Sequence, residues 1–480
     1  MQKLKGLQPE RVFHYFEEIS AIPRGSGNMD KIASYCMAFA KKQGLKAVRD
    51  DADNVIIYKP ASVGYENAEP IILQGHLDMV CQKTEESTID FEKDGIDLAV
   101  EGDYVFANGT TLGADNGIAV AMVMAILEDK NAEHPAIEAL FTTDEEIGMI
   151  GAGKLDGSLF SGRKLINLDA EESELLTVSC AGGSDFVMEV PVNPETVQGT
   201  KVTVTVKGLT GGHSGVEIHK GRVNANMLMG RILHFAKSVS EYQLIRVNGG
   251  DKANAIPLAN VAELVVADGE SFKTAMMCYM ETVQKEISDR EPGFIYQITI
   301  GDEGVYAVMD DDAKKKVTFM LLSAPDGVMD MSVSIPDLVE TSLNMGILKT
   351  EADKVLMHFA LRSNKQTALA FLEAKLLGMA SFAGVHTQAF GHYPPWEFRE
   401  GSDLQKLYKE TYLEKTGKEP TVVAIHAGLE CGVLSSKIPG LDCIAIGPDA
   451  MDVHTVHERI KISSVGEIYE IVQNLLKKCR

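Results

Sequence analysis

The sequence predicts an α/β protein with a doubly wound mixed sheet and an inserted α+β domain. Three observations carry this prediction. Short β-branched runs alternate with helical stretches in the first part of the chain, and polar residues follow the ends of several runs. After Trp396 the same alternation returns. We therefore expect residues 1–189 and 396–480 to form one discontinuous domain, with residues 190–395 inserted into it.

The elements of the first domain follow from hydrophobic periodicity and turn residues. Residues 7–47 predict one or two helices, interrupted by PRGSG at 23–27 and resumed with Asn28 or Asp30 as the N-cap. Strands are predicted at 54–58, 70–76, 136–143, 164–170, 420–425 and 441–446. Apolar helical patterns lie at 111–130, 402–415 and 464–478. Because the strands deliver polar residues at their C-terminal ends, we expect a functional site at that edge of the sheet.

The inserted domain contains a weak internal similarity. KVTVTVK at 201–207 predicts a strand, and a helix containing Met229 and Gly230 follows it. KVTFMLL at 316–322, predicted as a second strand, and a second helix containing Met345 and Gly346 repeat this order at nearly the same spacing. A duplication would give two ferredoxin-like repeats, and chance similarity is the alternative.

Composition and charge exclude several classes of protein. A hydrophobic fraction of 45% with a charged fraction of 24% is typical of a globular protein. The net charge of −23 disfavours nucleic acid as a partner, because phosphate binding requires a basic surface. No apolar run approaches the length of about 18 residues that a membrane span needs, and the N-terminus lacks the features of a signal peptide. Seven cysteines without a CxxC pair predict reduced thiols. We expect a cytoplasmic protein.

Three consecutive carboxylates, Asp144, Glu145 and Glu146, follow an apolar run. Adjacent glutamates point in different directions, so one can bind a cation while the other faces a water or a substrate. The alternative is an acidic first turn of a helix, which the helix dipole favours. Other polar residues at the ends of elements favour a site, namely His76, Asp78, Asp115, Asp169 and, near the C-terminus, His454.

Each of these residues also has a purely structural interpretation. His76 could be a core histidine with Asp78 as its partner, and Asp115 and Asp169 could be a turn residue and a helix cap. Taken together, two histidines and three carboxylates suit two divalent ions of the zinc type, because imidazole nitrogen and carboxylate oxygen both bind Zn²⁺. Two neighbouring ions need a bridging ligand, and a carboxylate has two oxygens for this purpose. We predict that Asp115 is the bridge.

The motifs around these residues resemble those of the di-zinc amidohydrolases and peptidases that include aminoacylase, carboxypeptidase G and the aminoacyl-histidine dipeptidases. The motifs are GHLDMV at 75–80, LGADNGIA at 112–119, TTDEEIG at 142–148, LDAEE at 168–172 and VHTVHERI at 453–460. They follow one another in the family's order. GGHSG at 211–215, NAIP at 254–257, LRSN at 361–364 and HAGLECG at 426–432 resemble the aminoacyl-histidine (Xaa-His) dipeptidase branch.

The resemblance implies a zinc-peptidase-like fold and a role for each motif residue. Two divalent ions, Zn²⁺ with Co²⁺ or Mn²⁺ as alternatives, would be bound by His76, Asp115, Glu146, Asp169 and His454. The family's last ligand lies in a His-Ser/Thr-x-x-Glu context, which matches 454–458 and favours His454 over His457. Asp78 would orient His76. Glu145 would be the general base, taking a proton from the attacking water and returning it to the leaving amine.

The inserted domain resembles the family's lid, with His213, Asn254 and Arg362 as the implied substrate-binding residues. His213 would stabilise the oxyanion, although a turn residue among glycines is the alternative. Arg362 and Asn254 would hold the terminal carboxylate of the substrate. In shorter relatives the lid dimerises, and each subunit supplies a histidine to the active site of its partner. If the lid of this chain is duplicated, its second copy could replace the partner's lid, and a monomer could be active. Monomer and homodimer both stay open.

The activity that the resemblance implies is metal-dependent hydrolysis of dipeptides, Xaa-His (carnosine-like) substrates among them. Two alternatives within the superfamily are a tripeptide aminopeptidase and an N-acyl-amino-acid hydrolase. A third is a binding protein that kept the metal ligands without catalysis. Glu145 argues against the binding protein, because a free glutamate beside the ligands is needed only for proton transfer.

Overall fold

The structure, a computed structural model, describes residues 3–480 and divides into two compact units. The first unit comprises the described residues up to Ser179 together with Phe398–Ala424 and Leu429–Arg480. The second comprises Cys180–Glu397 and Ile425–Gly428. Within residues 3–480, no helix combines the length and the apolar composition needed to cross a bilayer.

The first segment of the first unit begins with two helices and then alternates strands with helices. Its helices are α1 (Glu10–Ser20), α2 (Asp30–Gln43), α3 (Ala114–Glu128) and α4 (Ile150–Lys154). Its strands are β1 (Lys46–Arg49), β2 (Val55–Lys59), β3 (Ile71–His76), β4 (Leu98–Glu101), β5 (Tyr104–Ala107), β6 (Ile137–Thr142), β7 (Lys164–Asn167) and β8 (Leu175–Cys180). A 3-10 turn lies at Gly157–Leu159. The predicted cap of α2 is wrong, because Met29 occupies the N-cap without a side-chain hydrogen bond.

The second unit contains longer strands and four helices. The helices are α5 (Ala225–Val239), α6 (Gly269–Ile287), α7 (Asp311–Ser323) and α8 (Gln366–Ala383), with a 3-10 turn at Ile218–Lys220. The strands are β9 (Gly182–Pro191), β10 (Glu195–Lys207), β11 (Gly212–His213), β12 (Tyr242–Gly249), β13 (Ala255–Ile256), β14 (Asn260–Val266), β15 (Ile295–Val308), β16 (Gly327–Met331), β17 (Val339–Thr350), β18 (Lys354–Ser363) and β19 (His386–Tyr393). The predicted domain boundary after residue 189 falls inside β9.

The chain then returns to the first unit. Its last elements are α9 (Asp403–Thr416), β20 (Thr421–Ile425), α10 (Glu430–Lys437), β21 (Asp442–Ala445), β22 (Ala450–Met451), β23 (Arg459–Lys461) and α11 (Ile462–Lys478). The helices and strands predicted from 402 onward are confirmed here.

The first unit is organised on an eight-stranded mixed sheet in the order β1-β2-β6-β3-β7-β21-β8-β20. The four strands β6, β3, β7 and β21 run parallel, whereas β1, β2 and β8 pair antiparallel with their neighbours. His76 pairs with Thr142, and Gln74 pairs with Asn167. The C-terminal ends of β3, β6 and β7 therefore lie at one edge, as the sequence predicted. Helix α3 is buried on nearly all sides, since its turns are almost entirely apolar.

The second unit is built on a sheet in which two halves share one strand order. The order is β15-β10-β14-β12 in one half and β19-β9-β18-β17 in the other, with β12 paired to β17. Each half is a βαββαβ arrangement with the fourth, first, third and second strands side by side, which is the ferredoxin-like order. The first half is inserted between β9 and α7 of the second half. Buried apolar side chains from both halves form one core.

The register of the predicted repeat is wrong. KVTVTVK lies in strand β10, but KVTFMLL lies in helix α7, and Met345 and Gly346 lie in strand β17. The two segments begin with the same three residues, but the side chains of the second segment follow the helical period and not the two-residue period of a strand. Strand β10 buries every second residue, whereas α7 buries Val317, Met320 and Leu321 at helical spacing.

Candidate metal centre

Five side chains of the first unit converge around Asp115. Its Oδ1 lies 3.1 Å from Nε2 of His76, and its Oδ2 lies 3.1 Å from Nε2 of His454. Oδ1 of Asp169 lies 3.5 Å from Nε2 of His76, and Oε2 of Glu146 lies 3.0 Å from Nε2 of His454. The structure therefore brings together all five side chains that the sequence suggested as metal ligands. Ligand atoms of His76, Asp115 and Glu146 lie within 4.8 Å of one another and could hold a metal ion.

The fold explains why these side chains meet. His76 is the last residue of β3, Glu146 follows β6, and Asp169 follows β7, and these three strands are parallel neighbours. Asp115 lies in the first turn of α3. His454 lies between β22 and β23 with a φ of 62°, a left-handed conformation that is uncommon outside glycine. Such strain is often found at functional positions.

The electrostatics of the cluster reflect its crowded carboxylates. Hydrogen bonds from the His454 ring to the carboxylates of Asp115 and Glu146 raise the pKa of His454 to about 11. Burial, with the nearby charges of Asp115 and Glu146, raises the pKa of Asp169 to about 6 against the opposing effect of His76. Burial opposes the ionisation of Asp115 too, but the two histidines hold its pKa below the ordinary value. Imidazole nitrogens and carboxylate oxygens gathered in one cluster are the donor set that zinc-type ions prefer.

Asp78 fixes the backbone of the Glu145–Glu146 pair. Its carboxylate accepts hydrogen bonds from the backbone N–H of Glu145 at 3.0 Å and of Glu146 at 3.2 Å, and from Oγ of Ser26 at 2.8 Å. Its Oδ1 also lies 3.3 Å from Nδ1 of His76, a close contact that lacks hydrogen-bond geometry. Asp78 is thus fully buried between the histidine and the two glutamates.

Glu145 is half-buried beside the cluster. Burial raises its pKa well above the ordinary value, and Asp169, Glu430 and Glu146 raise it further, although the charge of His76 acts in the opposite direction. A carboxyl group with a raised pKa can exchange a proton near neutral pH. The geometry makes Glu145 a candidate for proton transfer.

Two buried charged residues that the sequence interpretation missed hold the loop before Asp115. The carboxylate of Glu458 accepts hydrogen bonds from the backbone N–H groups of four consecutive residues, at 2.7 Å from Leu112, 2.8 Å from Gly113, 2.8 Å from Ala114 and 3.3 Å from Asp115. The guanidinium of Arg24 donates to the carbonyl oxygens of Leu77, Asp78 and Gly113. Arg24 lies in the PRGSG segment, from which the sequence predicted only a break between two helices.

A buried polar network under the cluster was also missed. Oε2 of Glu430 accepts hydrogen bonds from Nε2 of Gln74 at 2.5 Å and from Oγ1 of Thr142 at 2.6 Å. Nδ2 of Asn167 donates to Oε1 of Gln74 at 2.5 Å. These bonds tie β3, β6 and β7 together directly before their functional residues. The motif HAGLECG contained Glu430 but gave no sign of this role.

The predicted substrate-binding residues lie in the second unit. Strand β11, which contains His213, pairs with β13, and the backbone N–H of Ser214 donates to the carbonyl of Asn254 at 2.9 Å. A Cβ at Gly215 would lie 2.9 Å from Cε1 of His213 and 3.1 Å from Nε of Arg362, so only glycine fits between them. Nη1 of Arg362 donates to Oη of Tyr393 at 2.9 Å, and its buried Nε makes no hydrogen bond within residues 3–480.

His426 joins this group, although the sequence interpretation gave it no role. Its Nε2 lies 2.7 Å from Oγ of Ser342, and its Nδ1 lies 3.2 Å from Oδ1 of Asn364. Burial, together with the charges of Arg362 and His213, lowers its pKa to about 3. His426 is therefore a neutral imidazole fixed from both sides.

Comparison with known proteins agrees with this architecture. Residues 72–478 match the family described as Peptidase family M20/M25/M40. The chain is 37% identical over 484 residues to the cytosol non-specific dipeptidase of Escherichia coli (strain K12), covering 100% of this chain and 99% of the relative. The aminoacylhistidine dipeptidase structure of Vibrio alginolyticus superposes with a TM-score of 0.93 at 34% identity, over 99% of this chain and 97% of that one.

A more distant structure shares the fold. The aminopeptidase PepT of Bacillus cereus gives a TM-score of 0.57 at 16% identity, covering 98% of this chain and 99% of that chain. The predicted mixed α/β fold and the family resemblance are confirmed. The chain belongs to peptidase family M20/M25/M40 and is a metallopeptidase, a class of hydrolase.

Proposed function

We propose that this chain hydrolyses the peptide bond of dipeptides, Xaa-His substrates among them, with the help of two divalent ions. The observation that carries the proposal is the position of Asp115, each of whose carboxylate oxygens faces a different histidine. One carboxylate between two nitrogen ligands is the arrangement expected of a bridge between two ions.

The donor set fits a pair of zinc-type ions. His76 and Asp169 would hold one ion, Glu146 and His454 the other, and Asp115 would contribute one oxygen to each, as the family resemblance implies. The close pairs between these residues support this division. Bound divalent ions would supply Lewis-acid polarisation of the substrate carbonyl and would favour ionisation of water. Zn²⁺ is the metal that we propose, with Co²⁺ or Mn²⁺ as alternatives that the same donors accept.

Glu145 would carry the proton during the reaction. Asp78 accepts a hydrogen bond from its backbone N–H, which anchors the residue next to the proposed metal ligand Glu146. In that position Glu145 would take a proton from the attacking water and return it to the nitrogen of the leaving amine. The raised pKa of Glu145 supports this role, because it brings proton affinity toward neutral pH.

The second unit would bind the polar ends of the substrate. Arg362 is the proposed partner of the terminal carboxylate, and its buried Nε without a hydrogen bond supports an anionic ligand. The pKa of His213 is lowered by burial and by Arg362, so a neutral imidazole would be available to donate a hydrogen bond to the oxyanion. Asn254 is exposed on the neighbouring hairpin and would assist Arg362. We propose that the inserted region serves as the family's lid.

The substrate class follows from the relatives. The Escherichia coli relative is named a non-specific dipeptidase of the cytosol, and the Vibrio alginolyticus relative is named an aminoacylhistidine dipeptidase. We therefore propose broad dipeptide hydrolysis and a cytoplasmic location for this chain as well, as a monomer or a homodimer.

The test is a hydrolysis assay with metal-loaded enzyme on four matched substrates: Leu-His, Leu-Gly, Leu-Gly-Gly and N-acetyl-histidine. We expect release of free amino acids from both dipeptides at rates at least about tenfold above those for the tripeptide and the acyl compound. Removal of metal with a chelator should abolish hydrolysis, and Zn²⁺ should restore it. Faster cleavage of the tripeptide or the acyl compound would favour the corresponding alternative, and absence of any hydrolysis would favour a binding protein.

A further inference from the structure

A cavity in the second unit is lined by residues that have no part in the proposed reaction. Its volume is about 490 Å³, and its walls include Ile218, Ile256, Val328, Met331, Asp326 and Asn344. Sites for small molecules have volumes of about 300–1,000 Å³ and combine apolar walls with a few fixed polar groups. This cavity has both properties.

The fixed polar group is the carboxyl of Asp326. Its Oδ1 accepts hydrogen bonds from Nδ2 of Asn224 at 2.9 Å and from the backbone N–H of Met345 at 3.0 Å. These two bonds hold the carboxyl in one orientation. Its other oxygen, Oδ2, accepts no hydrogen bond from the described residues 3–480, and the residue as a whole is only partly buried. Because Asp326 lines the cavity, Oδ2 is the atom that a ligand can reach.

Asp326 lacks a compensating charge. Burial raises the pKa of this carboxyl to about 7, and only the hydrogen bonds from Met345 and Asn224 oppose the shift. Within residues 3–480 no lysine or arginine forms an ion pair with Asp326, and the arginine that lines the cavity, Arg222, is paired with Glu217 at 3.0 Å. A buried carboxylate is stabilised by a cation that forms a charge-assisted hydrogen bond. The partner that this position lacks is therefore cationic.

The walls define the rest of the ligand. Ile218 and Ile256 are buried, with exposed fractions of 5% and 2%, and Val328 packs against them. We propose that the cavity binds a small molecule with a primary ammonium group on a short aliphatic body, the ammonium resting on Asp326 and the aliphatic part on Ile218, Ile256 and Val328. Free amino acids and aliphatic amines both present this chemistry.

The cavity shares supports with Asn254. Nδ2 of Asn344 donates to the carbonyl oxygens of Ala253 and Ala255, which flank Asn254, at 2.9 Å each. Oδ1 of Asn344 accepts from Nδ2 of Asn224, the residue that also holds Asp326. A ligand on Asp326 is therefore connected to the Asn254 hairpin through two asparagines.

The cavity also shares a support with His213. Arg222 lines the cavity and binds the carboxylate of Glu217 at 3.0 Å. Oε2 of Glu217 in turn accepts the backbone N–H of His213 at 2.9 Å. Occupation of the cavity should consequently alter the KM for dipeptides, since Asn254 and His213 are the proposed substrate-binding residues.

The test is calorimetric titration of the metal-loaded enzyme with isoamylamine, an ammonium on an aliphatic body, and with isocaproic acid, which has a similar body but no ammonium. We expect saturable binding of isoamylamine and none of isocaproic acid. Asp326→Asn keeps an acceptor for Asn224 and Met345 but loses the charge, so binding should weaken at least about tenfold. Asp330→Asn, which removes an exposed acid from β16, the strand that begins directly after Asp326, is the matched control and should bind as the unaltered enzyme does.

Two further arms complete the test. Val328→Trp should fill the cavity and abolish isoamylamine binding independently of charge, with folding checked by the melting temperature. L-leucine distinguishes the two sources of the ammonium, because binding as tight as that of isoamylamine would identify free amino acids as ligands, and weaker binding would identify amines. The proposal would be overturned if Asp326→Asn bound isoamylamine as tightly as the unaltered enzyme does. It would also be overturned if a saturating dipeptide displaced isoamylamine completely while the Asp326→Asn substitution left isoamylamine binding unchanged.

Discussion

The two units of this chain concentrate opposite kinds of polar group. Around Asp115 the first unit gathers carboxylates, and their negative charge raises the pKa of the neighbouring His454. Around Arg362 the second unit gathers two imidazoles, and burial together with the positive charge of Arg362 lowers the pKa of His213 and His426. The first group requires cations to balance it, and the second requires an anion.

This difference indicates how the chemistry is divided. Under the proposed function, metal ions would balance the acidic cluster, and a substrate carboxylate or a developing oxyanion would balance the charge of Arg362. A dipeptide offers an anionic terminus and a carbonyl that becomes anionic during hydrolysis. Variants that remove charge from either group should therefore fail in different ways, the acidic cluster in turnover and the basic group in substrate affinity.

The largest effect is expected from Glu145→Gln. The amide keeps the shape of the side chain but cannot take a proton, so kcat should fall about 10²–10⁴-fold. Metal content should be unchanged. The matched control is Asp144→Asn, which alters the adjacent acid whose carboxylate binds the backbone of Gly27. Turnover within a few-fold of the unaltered enzyme in Glu145→Gln, with both metals bound, would refute its role.

The next comparison separates two neighbouring histidines. His454 contacts Asp115 and Glu146, whereas His457 is exposed and lies outside the cluster. His454→Ala should lower kcat about 100-fold, because one ion loses a ligand. His457→Ala should leave kcat within about twofold. Equal losses in the two variants, measured at saturating dipeptide and Zn²⁺, would contradict the assignment of His454.

The basic group should respond in substrate affinity. Arg362→Ala removes a charge-assisted hydrogen bond worth about 1.5–3 kcal/mol, so KM for Leu-His should rise about 10–100-fold while kcat changes less. Arg290→Ala alters an exposed arginine of the same unit and is the control. A fall in kcat at constant KM would place Arg362 in the chemical step. It would contradict the assignment of turnover to the acidic cluster and of substrate affinity to the group around Arg362.

The smallest effect concerns stability. His426 has a pKa of about 3 in the fold and an ordinary value of 6.5, so between these values the unfolded chain binds more protons. Stability should therefore decrease as pH falls from 6.5 toward 3, by up to about 1.4 kcal/mol per pH unit from this residue. His426→Gln should flatten the slope of unfolding free energy against pH relative to the unaltered protein. His234→Gln, on the exposed face of α5, should not, and an unchanged slope in His426→Gln would contradict a neutral buried imidazole.

Sequence reasoning predicted the first unit better than the second, for a physical reason. Strand-end motifs such as Gly75-His76 and Asp169 lie on parallel neighbours, so the topology alone brings them to one edge. In the second unit, KVTVTVK and KVTFMLL share their first letters but take up a strand and a helix, because burial of alternate residues and burial at helical spacing cannot be told apart over seven residues.

The residues that support the site were the ones missed. Glu458 and Arg24 act on backbone groups far along the chain, and no local pattern marks a carboxylate that accepts four consecutive N–H groups. Asp78 was expected to orient His76, and its Oδ1 lies 3.3 Å from Nδ1 of that ring; its hydrogen bonds from the Glu145 and Glu146 backbone were not foreseen. Such roles depend on tertiary distances, which a single sequence does not contain.

The central claim is that side chains around Asp115 hold a pair of ions, and metal analysis tests it most directly. Zn²⁺ bound per chain should be measured by elemental analysis after equilibrium dialysis of the unaltered protein, of Asp115→Ala and of Asp129→Ala, a control at the opposite end of α3. We predict two ions per chain for the unaltered protein and for Asp129→Ala, and at most one for Asp115→Ala. Two tightly bound ions in Asp115→Ala, or fewer than two in the unaltered protein at saturating Zn²⁺, would contradict the proposal.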